Sequence, residues 1–166
     1  MERIFPSCSL ITQNVDGLHR RAGTTRLIEI HGNLWQVRCV RDGQVREDTR
    51  CPLPKIPPRC GCGALLRPHV IWFGESLDQE DLARAYGLIE ECDLLLVVGT
   101  SAVVQPVASF PLIAKQAGAF VVEVNMEPTP LSSIADASFH GKAGDILPAL
   151  LEKIKGYRRK SKKRGS

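Results

Sequence analysis

A chain of 166 residues, 43% of them apolar, is long enough for one domain, or for one domain with a small insert. It has neither an apolar run of membrane-spanning length nor a signal-peptide pattern, so we expect an intracellular, cytoplasmic protein without membrane contact. The net charge of +4 is concentrated in the basic residues 157–166, which we interpret as a disordered tail. No nucleic-acid contact is expected, apart from one that this tail would offer.

The first predicted elements are two short strands, over residues 8–12 and 27–30, each built mainly from apolar residues. The composition then changes over residues 39–68, which hold five prolines and four of the six cysteines. Such a segment has too few apolar residues to fold without a cross-link such as a disulfide or a bound metal ion. We therefore predict a loop-rich insert between two parts of one domain, residues 1–38 and 69–156.

Beyond the insert, the sequence alternates between helical and strand patterns. Helices are predicted at 77–92, 106–118 and 144–156, with strands at 94–98 and 119–125. Gly118 and Gly156 are expected to end the second and third of these helices. The five apolar residues from Leu94 to Val98 are typical of a strand covered on both faces. The alternation predicts an α/β fold with a parallel sheet and right-handed crossovers.

Three of the predicted strands are followed directly by polar clusters. Because ligands of open parallel sheets bind beyond the carboxyl ends of the strands, we expect the clusters to share one sheet edge and to bind a nucleotide. The alternative is that each cluster caps the helix that follows it. The clusters are Gln13, Asn14, Val15 and Asp16; Gly99, Thr100 and Ser101; and Asn125, Met126 and Glu127.

One histidine lies at a position that favours a catalytic role. His31 follows the second predicted strand and precedes Gly32, in a chain with a predicted sugar-phosphate site, and imidazole is a suitable general base toward a hydroxyl. The alternative is a structural role, which we assign to His19, His69 and His140.

The clustered cysteines predict a structural zinc site rather than disulfides. Cys39, Cys51, Cys60 and Cys62 supply four thiols for a tetrahedral ion. Their spacing departs from two Cys-x2-Cys pairs, so Asp42 is an alternative to Cys51, and reduced thiols without metal are a second alternative. No histidine is present in the cluster, so a catalytic zinc is not expected.

Together these motifs resemble the sirtuins, which are NAD-dependent protein lysine deacylases. The resemblance covers residues 9–155, and its most specific motifs are "TQNVDGLH", "EIHG", "LLRPHVIWFGE", "LLLVVGTSAVVQP" and "VEVNMEPTP". "LRPHVIWFGE" is similar to the class III branch and its bacterial relatives. The implied fold is a Rossmann-like parallel sheet with a small Cys-rich, zinc-ribbon-like insert.

The resemblance also implies a reaction and a set of roles. His31 matches the general base, assisted by Asn14 and Asp16. NAD is consumed as a co-substrate, releasing nicotinamide, O-acyl-ADP-ribose and the free lysine. The polar clusters match NAD contacts, to which the resemblance adds the backbone of Ala143. Ile71, Trp72 and Phe73 match the tunnel for the acyl-lysine of a protein or peptide substrate, which pairs as an added strand.

Two departures from the family pattern matter. Family members carry a Gly-rich Gly-Ala-Gly-Ile-Ser-like segment that cradles the NAD diphosphate, and nothing in this chain matches it. We therefore expect an incomplete Rossmann-like sheet, a fragment of a sirtuin, and weak or no NAD binding by this chain alone. The alternative function is a non-catalytic module that binds acyl-lysine peptides or a protein partner. The Tyr-x-x-Arg pair that reads acidic acyl groups is also missing, so the sequence leaves deacetylase, desuccinylase and demalonylase open.

Overall fold

The structure is a computed structural model that describes residues 1–5 and 7–164, with side chains as far as Tyr157. The chain divides into two compact units, Met1–Ala85 and Tyr86–Ser166. The predicted division had instead set an insert inside one domain. None of the described helices combines the length and the apolar content that crossing a membrane requires.

The first unit contains two small sheets. Strands β1 (Leu10–Thr12) and β2 (Leu27–Glu29) pair in parallel and are connected through the short helix α1 (Leu18–Arg21). Strands β3 (Gly32–Cys39), β4 (Val45–Glu47) and β5 (Leu66–Val70) form an antiparallel sheet in the order β4-β3-β5. The first sheet confirms the two predicted strands. The second was not predicted, since its strands mix polar and apolar residues and fall at the edges of the Cys-rich segment.

The second unit is an α/β layer. Helix α2 (Gln79–Glu90) leads into it, followed by β6 (Leu94–Val98), a 3-10 turn (Val107–Ser109), α3 (Phe110–Gln116) and β7 (Phe120–Asn125). A second 3-10 turn (Pro130–Ser133), β8 (Ala137–His140) and α4 (Ala143–Arg164) complete it. All three strands are parallel, in the order β6-β7-β8, which confirms the predicted parallel sheet. The four-residue strand β8 was missed because it carries only a short, mixed pattern.

Strand β6 differs from its prediction. Its apolar run indicated cover on both faces, yet Leu94 is 51% and Val98 is 36% exposed. Among the described residues β6 pairs only with β7 and is therefore an edge strand. Strand β7 lies in the centre, and its residues Val121 to Val124 are the buried ones. Composition sets how apolar a strand is, but pairing decides how much of it is covered.

The single sheet edge expected for all three polar clusters is also wrong. The first cluster follows β1 in the sheet of the first unit, whereas the other two follow β6 and β7 in the sheet of the second. The residue types that follow a strand do not indicate which other strands it pairs with. The prediction therefore could not assign the three clusters to two different sheets.

Helix ends were predicted with mixed success. Gly118, with φ of +98°, follows α3 and donates from its amide to the carbonyl of Lys115, as expected of a helix-ending glycine. Gly156 does not end α4, which continues to Arg164. A glycine inside a helix costs about 1 kcal/mol, and the good helix formers on either side offset that cost. The basic side chains of the predicted tail, from residue 158 onward, lie outside the described residues.

Candidate active site

His31 and the segment after β1 meet in the first unit. The parallel pairing of β1 with β2, in which Thr12 lies opposite Glu29, brings the residues that follow both strands together. His31 Nδ1 lies 3.2 Å from the carbonyl oxygen of Gln13. A carbonyl only accepts hydrogen bonds, so Nδ1 carries the proton. The other ring nitrogen, Nε2, is then the basic one.

The remaining residues of the first polar cluster form a short turn into α1. Asn14 is exposed, while Val15 and Asp16 are half-buried. The Asp16 carboxylate accepts a hydrogen bond of 2.9 Å from the amide of Leu18 at the start of α1. This bond makes Asp16 part of the turn that leads into α1, although the N-cap position itself is Gly17 and has no side-chain cap.

Gly32 is explained by the close approach of β5. Its φ is +82°, and a Cβ built on it would lie 2.1 Å from the carbonyl oxygen of His69. Next to Gly32, the amide of Ile71 donates a hydrogen bond of 2.9 Å to the carbonyl of His31. The His-Gly pair is thus where the chain from β2 meets β5, and only a glycine fits there.

The predicted substrate residues form an arm after β5. Ile71 is half-buried, whereas Trp72 is 57% exposed and Phe73 fully so. The arm is held at its base by Glu75, whose carboxylate accepts from Arg67 at 2.7 and 2.8 Å and from the amide of Trp72 at 3.1 Å. The Arg67 guanidinium also lies 4.6 Å from the ring centre of Trp72. These contacts give a structural reason for the arginine and glutamate of "LRPHVIWFGE", which the sequence did not single out.

A cavity of about 440 Å³ lies against one of the predicted substrate residues. Its lining includes Ile71, Gly32, His69 and the start of α2, but neither Trp72 nor Phe73. His69 Nδ1 is buried without a hydrogen-bond partner. Of the three predicted tunnel residues, therefore, Ile71 is the one that lines this cavity.

In the second unit, the structure brings the other two polar clusters together. The Asn125 side-chain amide, at the end of β7, donates to the carbonyl of Thr100 beyond β6 at 2.8 Å. The Asn125 carbonyl accepts from the amide of Gly141 beyond β8, also at 2.8 Å. Asn125 thus ties together the ends of three parallel strands. Gly99 adopts a φ of +61° at the turn out of β6.

The other predicted residues of this unit surround that junction. Ser101, Met126 and Glu127 are exposed, and Ala143 is half-buried as the first residue of α4. Their positions beyond the carboxyl ends of parallel strands are those where nucleotides bind in open α/β sheets.

A buried carboxylate, which the sequence analysis missed, lies behind this edge. Glu123 is 1% exposed and accepts hydrogen bonds from the hydroxyls of Thr129, Ser132 and Ser138, the last two at 2.5 and 3.1 Å. Burial raises the pKa of Glu123, but the three hydroxyls, helped by the charge of His140, outweigh it and hold the pKa below its usual value. The carboxylate thereby fixes the turn that follows residues 126–128.

Replacing Glu123 with Gln is expected to lower the free energy of unfolding by about 1–3 kcal/mol at neutral pH, because the buried hydroxyls lose a charged acceptor. Since the folded pKa lies below the ordinary value of 4.5, this contribution is complete above pH 4.5 and is lost as the pH falls through the folded pKa. Thermal unfolding between about pH 3 and about pH 7 would measure it. Exposed Glu91→Gln is the matched control, and a wild-type-to-variant difference that is constant over this range would contradict the prediction.

In the first unit, the side chains of the cysteine cluster are arranged as in a metal-binding site. Ligand atoms of Cys39, Asp42, Cys60 and Cys62 all lie within 4.8 Å of one another. The sulfur atoms of Cys39 and Cys62 are 3.6 Å apart, close to the roughly 3.8 Å that tetrahedral zinc with about 2.3 Å Zn–S bonds requires. Thiolates and carboxylates are both zinc ligands, so three thiols and one carboxylate at these distances fit the metal.

Cys51, which the prediction includes among the ligands, is exposed and lies outside this group of ligand atoms. Asp42, the predicted alternative to Cys51, is the fourth residue of the group. The turn between β3 and β4 is the cause, since the amide of Gly43 donates to the carbonyl of Cys39 at 3.0 Å and folds the chain back there. The signal was present in the sequence, because Asp42 follows Cys39 at the Cys-x2-Cys spacing.

The ligand groups differ in how readily they lose a proton. Hydrogen bonds from backbone amides lower the pKa of Cys60, through Cys62, and that of Asp42, through Gln44. Backbone amides also act on Cys39, but burial and the side chains of Asp42 and Cys62 outweigh them and raise its pKa. Because the thiolate is the form that binds a metal, metal binding displaces thiol protons and weakens as the pH falls.

Comparison with known proteins identifies the family. A model described as the Sir2 family matches residues 1–106. The NAD-dependent protein deacylase of Aquifex aeolicus is 53% identical over 156 residues, which are 93% of this chain and 65% of that protein. NAD-dependent protein deacylase 2 of Pyrobaculum aerophilum is 52% identical over 147 residues, or 88% and 59% of the two chains. The chain belongs to the Sir2 family, as its motifs indicated.

Solved structures agree with this assignment. A Sir2 homologue in complex with NAD superposes with a TM-score of 0.87 at 47% identity, covering 90% of this chain and 59% of the other. A complex of Sir2 with a p53 peptide and NAD+ gives a TM-score of 0.80 at 36% identity, covering 87% and 62%. The chain thus spans about two thirds or less of the length of these relatives, while matching them along nearly all of its own length.

Proposed function

We propose that these residues belong to an NAD-dependent protein lysine deacylase, which transfers the acyl group of a modified lysine to the ADP-ribose part of NAD and releases nicotinamide. The observation that carries the proposal is the His31 ring, which donates through Nδ1 to the Gln13 carbonyl and keeps Nε2 as a base. Such a base is what removing a proton from a ribose hydroxyl requires. The names of the relatives support the same reaction.

In the first unit, His31, Asn14 and Asp16 would act at the nicotinamide ribose, with Gln13 and Val15 as backbone contacts. The arm of Ile71, Trp72 and Phe73 would hold an acyl-lysine peptide, and its exposed aromatic rings support that role. In the second unit, the residues of the sheet edge around Asn125 would bind the ribose, phosphate and adenine side of NAD.

Zinc is proposed as a structural ion, held by Cys39, Asp42, Cys60 and Cys62, that fixes the tip of the antiparallel sheet. It takes no part in the proton transfer. All six cysteines are free thiols, which supports a reducing compartment such as the cytoplasm. The range of acyl groups is proposed to include acetyl, with succinyl and malonyl as further candidates to be compared directly.

The test compares two purified proteins. One is residues 1–166. The other is a chimera that adds the part of the Aquifex aeolicus relative lying outside the match. We expect nicotinamide release from NAD and an acyl-lysine peptide by the chimera, and weak or no NAD binding by residues 1–166 alone. Robust deacylation by residues 1–166 would contradict the second expectation.

His31→Ala in the chimera is expected to lower turnover by about 10²–10⁴-fold, the usual contribution of a general base. His19→Ala is the matched control, since that ring has no comparable position. Full turnover by His31→Ala would contradict the proposed role. A folded chimera that binds acyl-lysine peptide but releases no nicotinamide would instead support the alternative, a non-catalytic binding module.

A further inference from the structure

A run of hydrogen bonds connects β2 to the segment that faces His31. Glu29 of β2 accepts from the Asn33 side-chain amide at 2.6 Å, and the Asn33 oxygen accepts from the backbone amide of Trp35 at 2.8 Å. The Trp35 indole N–H then donates to the carbonyl of Asp16 at 2.8 Å. Asn33 is only 3% exposed, so the run passes through the interior of the first unit.

We propose that Trp35 is a positioning residue, which holds the Gln13–Asp16 segment in the register that places the Gln13 carbonyl against His31. This rests on the proposed function, in which His31 is the base. Trp35 does not touch the reacting groups in this view. It holds the backbone of the segment in place. The Gln13 carbonyl in that segment then determines which ring nitrogen of His31 carries the proton.

The segment depends on β3 for its anchoring. It lies beyond the end of β1, outside the parallel pairing with β2. Two successive carbonyls are instead bonded to β3: that of Val15 accepts from the amide of Leu34 at 2.8 Å, and that of Asp16 from the indole of Trp35. The first bond is available to any residue at position 34, whereas the second needs a side-chain donor of indole length. Position 35 is therefore the specific one.

The fit around Trp35 is close. A Cβ built on Gly17, next to Asp16, would lie 2.8 Å from Trp35 Cδ1 and 3.2 Å from Asn33 Nδ2. Gly17 also has a φ of +70°. The indole ring thus packs directly over the end of the segment, where any larger residue would displace the ring. The close packing of the indole ring and the hydrogen bond of its N–H together hold Trp35 against Asp16.

The consequence concerns the tautomer of His31. As long as the Gln13 carbonyl faces Nδ1, the neutral ring keeps its proton there. If the segment loses the bond to Trp35, that carbonyl is held less closely against Nδ1 and the two neutral tautomers become more equal in population. A base with the wrong nitrogen protonated cannot accept a proton at Nε2, although the ring remains in place.

The experiment reads the ring directly. In purified, ¹⁵N-labelled residues 1–166, the ring nitrogen shifts of His31 are expected to report the Nδ1-protonated tautomer. Trp35→Phe keeps a ring but removes the N–H, and it is expected to lower the ratio of the two tautomers by about two- to tenfold, the usual worth of one hydrogen bond. Tyr157→Phe, at a side chain that is 78% exposed in the second unit, is the control and should leave the ratio unchanged.

Gly17→Ala is the second variant, which keeps the indole donor but displaces the ring, and it decides the question if Trp35→Phe does not fold. Gly23→Ala is its matched control, because Gly23 has a φ of +89° and no atom within 4 Å of an added Cβ. A changed ratio in Gly17→Ala but not in Gly23→Ala supports the proposal. An unchanged ratio in the folded Trp35→Phe or Gly17→Ala protein overturns it. The measurement needs neither NAD nor peptide, so an inactive chimera whose His31 ring still responds would count against the proposed function alone.

Discussion

Removal of zinc is expected to unfold the antiparallel sheet of the first unit. The apolar cluster beside the metal ligands is small, consisting of Val37, Cys39, Ala64 and Leu66 with Cys60 packed against it. Structural zinc sites contribute up to about 10–16 kcal/mol in small metal-binding domains, far more than such a core supplies. We expect one equivalent of zinc in protein purified without chelator, and a large fall in melting temperature once a strong chelator removes it.

Single substitutions identify the fourth ligand. Asp42→Asn and Cys62→Ser are expected to lower both the zinc content and the melting temperature, because each removes a ligand of the cluster. Cys51→Ser is the matched control, since its exposed thiol lies outside the cluster, and it should retain a full equivalent. Less than about a tenth of an equivalent in the unsubstituted protein would refute the zinc site. Loss of metal from Cys51→Ser but not from Asp42→Asn would restore the four-cysteine set.

Gly32→Ala is expected to destabilise the first unit by at least about 2 kcal/mol, combining the strain of a positive φ with overpacking against β5. The added Cβ would lie 2.1 Å from the His69 carbonyl oxygen, a backbone atom that no side-chain rotation relieves. Because this contact aligns His31 with Ile71, the variant should also raise hydrogen exchange at the Ile71 amide. Denaturant unfolding and hydrogen exchange would measure the two effects.

Gly23→Ala is the control that distinguishes the steric clash of the added Cβ from the backbone strain of a positive φ. Gly23 has a φ of +89°, close to that of Gly32, but nothing lies within 4 Å of an added Cβ. It should therefore show only the conformational cost, roughly 1–3 kcal/mol. Equal destabilisation by the two substitutions would mean that the approach of β5 is not what requires glycine in the His-Gly pair.

The position of His31 could be predicted from the sequence because its support is local. A short apolar strand, a histidine and a glycine in immediate succession predict a strand end with a base beside it, and the structure has β2, His31 and Gly32 in that order. The meeting with Gln13 was within reach for the same reason, since both follow strands of one parallel pair. Trp35, Arg67 and Glu75 were missed, because their contacts connect residues distant along the chain.

The amino-acid sequence by itself determined the family, the parallel α/β pattern of the second unit, and the residue types at both polar edges. These depend on periodicity and on short motifs, which neighbouring residues specify. The tertiary structure decided between two alternatives that the sequence left open, by bringing Asp42 rather than Cys51 to the cysteine cluster. It alone showed that β6 is an edge strand among the described residues. It also decided that Glu123 is a buried carboxylate with three hydroxyl partners. Each of these depends on which backbone segments are brought together, and a turn or a strand pairing fixes that only after the chain has folded.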